Sequence, residues 1–286
     1  MDQIAVTAIG VLFAVSTLAL LALGLAIIFG MMGVLNLAQG EFLMLGAYTV
    51  LIATARGLPV WIGILLAPFV VGMIGIVLER AIIRFLYGRP LDTMLATWGL
   101  SLVLVGVVTV VMGPTTEGVA PPLGSVEIGR YGVSVYRLVV IAISVATVLA
   151  VYVVLRHTRI GMIARATMQM PRLVAASGIE PQIVYAATFG VGAALAGLAG
   201  AVMAPLTGVV PSMGLAFIAK IFITVMVGGP TVLLGTASAA GTLGVVESAV
   251  AYASTPIYGQ VAMLLVALVL LRLLPNGMSG LWRRGL

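Results

Sequence analysis

Long apolar runs separated by short polar segments make up most of the chain. Nine such runs occur, at residues 6–29, 42–55, 60–82, 91–112, 136–155, 183–205, 217–228, 232–252 and 257–274. Their apolar positions are continuous and do not alternate with period two, which favours helices over strands. The pattern predicts an all-α polytopic membrane protein with about eight or nine transmembrane or re-entrant helices.

Composition supports a membrane protein and excludes several function classes. Hydrophobic residues make up 62% of the chain and charged residues only 8%, whereas soluble domains carry about 25% charged residues. The loops are too short for a folded extramembrane part, so residues 1–286 are expected to form a single transmembrane domain. With no cysteine and one histidine, thiol catalysis and multi-histidine metal sites are excluded, and no cofactor is expected in this chain. The net charge of +6 comes from basic residues scattered among the loops, which indicates membrane topology and no nucleic-acid partner.

The segment between the first two runs combines glycines with polar side chains. It contains Gly30, Gly33, Gly40, Asn36, Gln39 and Glu41. A polar group in hydrocarbon costs free energy unless it finds a partner, so a lipid-facing helix would not carry these residues together. The segment therefore predicts a helix that breaks at membrane depth beside a solute path lined by Asn36, Gln39 and Glu41. For Glu41, a position at a helix start, where carboxylates are favoured, is the alternative.

The runs at 42–55 and 217–228 are too short for a full crossing, and glycines flank both. They predict two broken or re-entrant helices in corresponding positions of a pseudo-repeat. Lys220 opens the second of these runs and is either a path residue or a side chain that reaches to the membrane interface. Glu247 lies among small residues in the next run and is expected to make a hydrogen-bonded helix contact.

Two hydroxyl residues, Thr97 and Ser101, are spaced i and i+4 in the fourth run. They share one face of a helix and are candidates for lining the same path. The alternative is that each hydroxyl bonds back to a carbonyl of its own helix. We find no chain of Asp, Glu and His that would form a proton relay in the apolar runs.

Basic residues concentrate in three segments, after the third, fifth and last runs, which are therefore predicted to be cytoplasmic. The loop at 113–135 has acids and prolines and is predicted to face outward. The cytoplasmic segment at about 156–182 alternates apolar and basic residues at helical spacing, with Pro171 in the middle and Gly178 near its end. It predicts two short amphipathic helices, which would contact either a soluble partner or lipid headgroups.

Four motifs carry a resemblance to a known family. Residues 33–48 (GVLNLAQGEFLMLGAY) closely resemble the signature of the permeases of bacterial ABC importers for branched-chain amino acids and urea, with Gln39 standing where that family commonly has His. Residues 84–101 look like the urea and short-chain amide branch. Residues 158–166 and 175–179 are similar to the family's ATPase-coupling segment, within which Arg159, Arg165 and Gly178 are the candidate coupling residues.

The resemblance implies a transport subunit of the bacterial inner membrane with several partners. These are a homologous second permease, two cytoplasmic ATPases that bind ATP and Mg, and an extracytoplasmic solute-binding protein. Urea or short-chain amides are the first substrate interpretation, because residues 84–101 resemble that branch and because side-chain amides and hydroxyls can both donate and accept hydrogen bonds. Branched-chain amino acids are the alternative, because Lys220 stands where that branch often has Lys. A passive urea or amide channel is a third interpretation.

Overall fold

The protein is described by a computed structural model that covers residues 2–128, 131–229, 231–275 and 277–280. Helices dominate these residues. They are α1 (Asp2–Met32), α2 (Gln39–Ala55), α3 (Val60–Ala81), α4 (Pro90–Met112), α5 (Val135–His157), α6 (Arg159–Gln169), α7 (Pro171–Ala176), α8 (Pro181–Thr207), α9 (Met213–Gly228), α10 (Leu234–Ala253) and α11 (Pro256–Leu273), with a 3₁₀ turn at Ile83–Phe85.

Each of the nine predicted apolar runs corresponds to one of these helices, which confirms the all-α polytopic class. By length and composition, six are able to cross a membrane: α1, α3 with its 3₁₀ turn, α4, α5, α8 and α11. Helix α9 is apolar but has only 16 residues, and α2 has 17. The two short helices therefore occur where the sequence predicts them; the pseudo-repeat stays a prediction.

The loop at 113–135, which is predicted to face outward, is the part of the fold that differs from the sequence prediction. It contains two short antiparallel strands, β1 (Ser125–Ile128) and β2 (Tyr131–Ser134), in which Val126 pairs with Val133. Strands of four residues between proline-rich and glycine-rich segments leave too short an alternating pattern to stand out in a chain of long apolar runs.

The predicted break between the first two runs is confirmed. Helix α1 ends at Met32, and Gly33 follows with φ +65°, a conformation that glycine adopts without steric cost. The chain then runs without helix until α2 begins at Gln39, three residues before the predicted start. The Asn36 Oδ1 atom accepts a hydrogen bond from the Ala38 N–H at 3.0 Å, and this local turn leads the backbone into α2.

The residues group into two compact units. The first comprises Met1–Ala22, Ala120–Val148 and Lys220–Leu286, and the second comprises Leu23–Val119 and Leu149–Ala219. In the first unit, α10 packs on α11. Its core includes Val227, Leu243 and Met263, and the Met278 N–H donates to the Val227 carbonyl at 2.8 Å just before α9 ends.

The second unit is built around α2, α3 and α8, which pack on one another. The rings of Phe42 and Phe189 meet edge to face with their centroids 5.9 Å apart. Elsewhere α2 and α8 touch backbone to backbone: a Cβ atom added to Gly46 would lie 1.9 Å from the Gly197 carbonyl oxygen. Small residues of this kind let transmembrane helices approach closely and gain packing contacts.

Candidate functional site

Five of the six predicted path residues come together in the second unit. Almost no surface of their side chains is exposed: Asn36, Gln39 and Thr97 are 0% exposed, Glu41 1% and Ser101 3%. They derive from the break, from the first turn of α2 and from one face of α4. We call these five residues the polar cluster.

A hydrogen bond to Thr97 connects the break to α4. The Thr97 hydroxyl accepts a hydrogen bond from the Leu37 N–H at 3.1 Å and donates one to the Met94 carbonyl of its own helix at 3.0 Å. The hydroxyl therefore bonds back to its own helix, as the alternative interpretation expects, and also contacts the break. Its role in lining a solute path stays a prediction. Within the break, the Asn36 Nδ2 donates to the Gln39 Oε1 at 3.3 Å.

The Gln39 amide lies where α1 and α8 pass close to each other. Its Nε2 is 3.5 Å from the Gly192 carbonyl of α8. A Cβ atom on Gly24 of α1 would be 2.7 Å from that Nε2 and 2.4 Å from the Gly192 carbonyl oxygen. The amide therefore depends on Gly24 for its space and on the Gly192 carbonyl as acceptor, and the sequence patterns identified neither residue as part of the site.

Glu41 is the most constrained member of the polar cluster. The Ser101 hydroxyl donates to its Oε1 atom, while its Oε2 atom is buried without a hydrogen-bond partner among the described residues. Gly214, at the start of α9, faces this oxygen so closely that a Cβ atom there would lie 1.9 Å from it. Glu41 is in the first turn of α2, where the positive end of the helix dipole favours a carboxylate.

No cation neutralises Glu41 in the part of the chain that the structure describes. The ion pairs found there are Arg89–Asp92 and Lys220–Glu247. A buried carboxylate without a counter-charge at membrane depth is costly, and such residues are functional candidates by default. Glu41 lies at a helix start, as one sequence interpretation expects, and within the polar cluster. Its role in lining a solute path stays a prediction.

Lys220 belongs to the other unit, where its ammonium group forms an ion pair with the Glu247 carboxylate. The pair joins α9 to α10, and the two side chains are 23% and 18% exposed. Lys220 therefore contacts a charged partner at close range. The hydrogen-bonded helix contact predicted for Glu247 is present, with a charged partner that the sequence analysis did not name. The path role of Lys220 stays a prediction.

The cytoplasmic segment forms the two short helices that the sequence predicts, α6 and α7. The Thr158 side chain caps α6 by accepting a hydrogen bond from the Gly161 N–H at 3.2 Å. Gly178, with φ +87°, follows the end of α7. Arg159, Arg165 and Gly178 are all exposed, so this surface is accessible, while ATPase contact stays a prediction.

The described residues contain no group of three or more His, Asp or Glu side chains that could hold a metal ion. The chemistry of the polar cluster is therefore that of amides, hydroxyls and one carboxylate, which bind by hydrogen bonding and charge.

Comparison with known proteins identifies the family. The family described as "Branched-chain amino acid transport system / permease component" matches residues 7–274. The chain belongs to this permease family. Six candidate spanning helices together with this membership make it a multi-pass protein of the inner membrane. No solved structure matches.

Relatives of this permease extend over nearly its full length. It is 29% identical to the high-affinity branched-chain amino acid transport system permease protein LivH of Escherichia coli (strain K12), over 93% of this chain and 92% of the relative. It is 27% identical to the probable branched-chain amino acid transport permease protein LivH of Methanocaldococcus jannaschii, over 93% and 90%. The high-affinity permease protein BraD of Pseudomonas aeruginosa is 26% identical, over 93% and 92%.

Proposed function

We propose that this chain is the permease subunit of an ATP-driven ABC importer for branched-chain amino acids. The observation that supports this best is the match, along 93% of the chain, to permease proteins named for branched-chain amino acid transport. It favours the alternative substrate of the sequence analysis over urea or short-chain amides. The chain itself carries the solute, and ATP hydrolysis belongs to partner subunits.

The polar cluster supplies the solute path in this proposal. Because its side chains are almost completely buried, the described state is closed at this point. Opening requires the break to leave Thr97 or Ser101 to leave Glu41, since these two hydrogen bonds hold the break and α2 against α4. A released Glu41 carboxylate offers an acceptor to the ammonium group of an amino acid.

The same proposal assigns α6 and α7 to contact with the ATPases. The exposed residues Arg159 and Arg165 supply positive charge, and Ile160, Met162 and Leu173 supply exposed apolar surface. Mixed surfaces of this kind suit a protein interface. A homologous second permease and an extracytoplasmic binding protein complete the assembly in this proposal.

Uptake by the assembled transporter tests the proposal. The chain is expressed with its partner ATPases, second permease and binding protein in cells that lack high-affinity leucine uptake, and entry of radiolabelled leucine and urea is measured. We expect leucine entry that stops when the nucleotide-binding lysine of the ATPases is replaced. Entry of urea alone would overturn the substrate, and entry that persists without ATPase activity would indicate a passive channel.

A matched pair of variants tests the polar cluster in the same cells. Thr97→Val removes the acceptor of the Leu37 N–H, whereas Thr147→Val removes a hydroxyl whose one hydrogen bond among the described residues is to the Ile143 carbonyl of its own helix. We expect Thr97→Val to change leucine uptake by on the order of tenfold, which corresponds to about 1.4 kcal/mol, and Thr147→Val to leave it unchanged. Equal uptake by both variants would remove the break from the mechanism.

A further inference from the structure

A charged cavity lies in the second unit, and none of its lining residues belongs to the polar cluster. It measures about 310 Å³ and is lined by Glu79, Arg80, Arg84, Glu180, Gln182 and Ile183. The last turn of α3, the 3₁₀ turn after it and the start of α8 form its walls. The basic residues at this end of α3 predict that the cavity opens to the cytoplasm. Its volume is at the lower end of the roughly 300–1,000 Å³ found for small-molecule sites.

The floor of the cavity is a buried carboxylate. Glu79 is 1% exposed, and among the described residues its carboxylate accepts one hydrogen bond, from the Tyr87 hydroxyl at Oε1. Burial and the adjacent carboxylate raise the pKa of Tyr87 above its usual range, so the tyrosine stays a neutral donor. The Tyr87 ring also packs on Tyr185 of α8 with a centroid distance of 5.1 Å, which holds the two walls together.

The rim carries both signs of charge. Arg80, Arg84 and Glu180 are exposed, and none of them is within 4.0 Å of an opposite charge in the described ranges. The Arg84 guanidinium instead rests over the Phe85 ring, 5.1 Å from its centroid. Two guanidinium groups and two carboxylates thus line one small space. Among the described residues none of them forms an ion pair, so they are able to bind a charged ligand.

This charge pattern selects a ligand class. A simple anion would meet the two carboxylates, and a simple cation would meet the two arginines, so either is repelled in part. A small zwitterion satisfies both, because guanidinium binds carboxylate or phosphate oxygens and a carboxylate accepts from an ammonium group. We propose that this cavity is a cytoplasmic binding site for a small zwitterion, held by Arg80 and Arg84 at its anionic end and by Glu79 and Glu180 at its ammonium end.

Two sources present this chemistry at a cytoplasmic membrane face: free α-amino acids and the headgroup of phosphatidylethanolamine. The site shares no lining residue with the polar cluster, and its ligand class follows from the cavity's own charges. It therefore does not depend on which solute the permease imports.

The absence of cysteine from this chain permits a direct test. Gln182→Cys introduces one thiol at the cavity rim, and Ala166→Cys introduces one on the exposed surface of α6, outside the cavity. Each complex is reconstituted in phosphatidylglycerol vesicles with or without phosphatidylethanolamine. Reaction with a radiolabelled maleimide is followed on the band of this subunit, with glycine, leucine, isovalerate or isoamylamine added.

We expect glycine and leucine to slow labelling of the Gln182→Cys thiol in phosphatidylglycerol vesicles by roughly tenfold at ten times Kd, when about nine-tenths of the sites are occupied. Isovalerate and isoamylamine, which each carry one of the two charges, should protect far less. The Ala166→Cys thiol should react at one rate throughout. If labelling is instead slow only in phosphatidylethanolamine vesicles and indifferent to amino acids, the lipid headgroup is the zwitterion that the site holds.

Charge variants in the same background complete the test. Glu79→Gln keeps an acceptor for the Tyr87 hydroxyl while removing the charge, and Arg84→Gln removes one guanidinium. Each should abolish protection in complexes that still assemble, as judged by gel filtration. Labelling of Gln182→Cys that no zwitterion and no vesicle composition changes would overturn the proposal. So would protection that persists in both charge variants, or a Gln182→Cys thiol that never reacts in phosphatidylglycerol vesicles.

Discussion

The hydrogen bond from Ser101 to Glu41 stabilises the buried carboxylate of the polar cluster. Ser101 is the one donor that the Glu41 carboxylate has among the described residues, since the Oε2 atom has no partner. Ser101→Ala removes the donor and leaves a charge that is 1% exposed without any hydrogen bond. We therefore expect this variant to be markedly destabilised.

The magnitude follows from the charge and the burial. A hydrogen bond to a charged group contributes about 1.5–3 kcal/mol, and the penalty is larger when the abandoned partner is buried. We expect Ser101→Ala to lower the free energy of unfolding by about 2–3 kcal/mol. In the Glu41→Gln background the same change removes only a neutral hydrogen bond, with a contribution of about 1 kcal/mol. The two substitutions should therefore couple by about 1–2 kcal/mol.

The assay is a double-mutant cycle by SDS titration in mixed micelles, with unfolding followed by tryptophan fluorescence. Ser144→Ala is the matched control, because Ser144 is 1% exposed and its hydroxyl, within the described part of the chain, bonds only to the Val140 carbonyl of its own helix. It should shift stability by less than about 0.5 kcal/mol. A Ser101→Ala loss no greater than that of the control, or strictly additive effects of Ser101→Ala and Glu41→Gln, would refute the reasoning.

Three further outcomes are expected. Gly200→Ala should destabilise the protein by more than about 2 kcal/mol, because its Cβ atom would lie 1.8 Å from a backbone oxygen of α2. Gly106→Ala, where the added Cβ atom meets open space, should be neutral. Equal unfolding curves for the two variants would contradict this. Lys220→Met should destabilise by about 3 kcal/mol and Lys220→Met with Glu247→Leu by clearly less, as thermal unfolding would show. Thr97→Val should speed amide hydrogen exchange in the break, and unchanged exchange would argue against its hydrogen bond.

The helix break and its polar residues could be predicted because the signals are local. Glycines and polar side chains interrupt an apolar pattern within a few positions, and the i, i+4 spacing of Thr97 and Ser101 fixes their shared face. Their common burial with Asn36 and Glu41 then follows from the chain's need to hydrogen-bond polar groups away from water.

Contacts between distant segments could not be predicted in this way. Gly214 faces Glu41 because α9 begins beside α2, and no pattern in either segment encodes that proximity. The ion pair of Lys220 and Glu247 is easier to predict from sequence, since two opposite charges in neighbouring apolar runs have few other partners. The strands β1 and β2 were missed because four-residue elements have almost no periodicity to detect.

The substrate is a different kind of question. The sequence contains motifs of two transport branches, and a cluster of amides, hydroxyls and one carboxylate suits more than one polar solute. The residues of the polar cluster do not distinguish amino acids from urea or amides as substrates. The relatives that match along nearly the whole chain favour amino acids.

The backbone contact between α2 and α8 has a mechanical consequence. Helix α8 begins shortly after Gly178, passes the Gln39 amide at Gly192, and rests directly on α2 at Gly197 and Gly200. Side chains between helices can change rotamer and absorb a small displacement, but a seam made of backbone atoms has no such compliance. A push on the N-terminal end of α8 would therefore be transmitted along the helix with little loss, and the polar cluster would move together with the segment that is pushed.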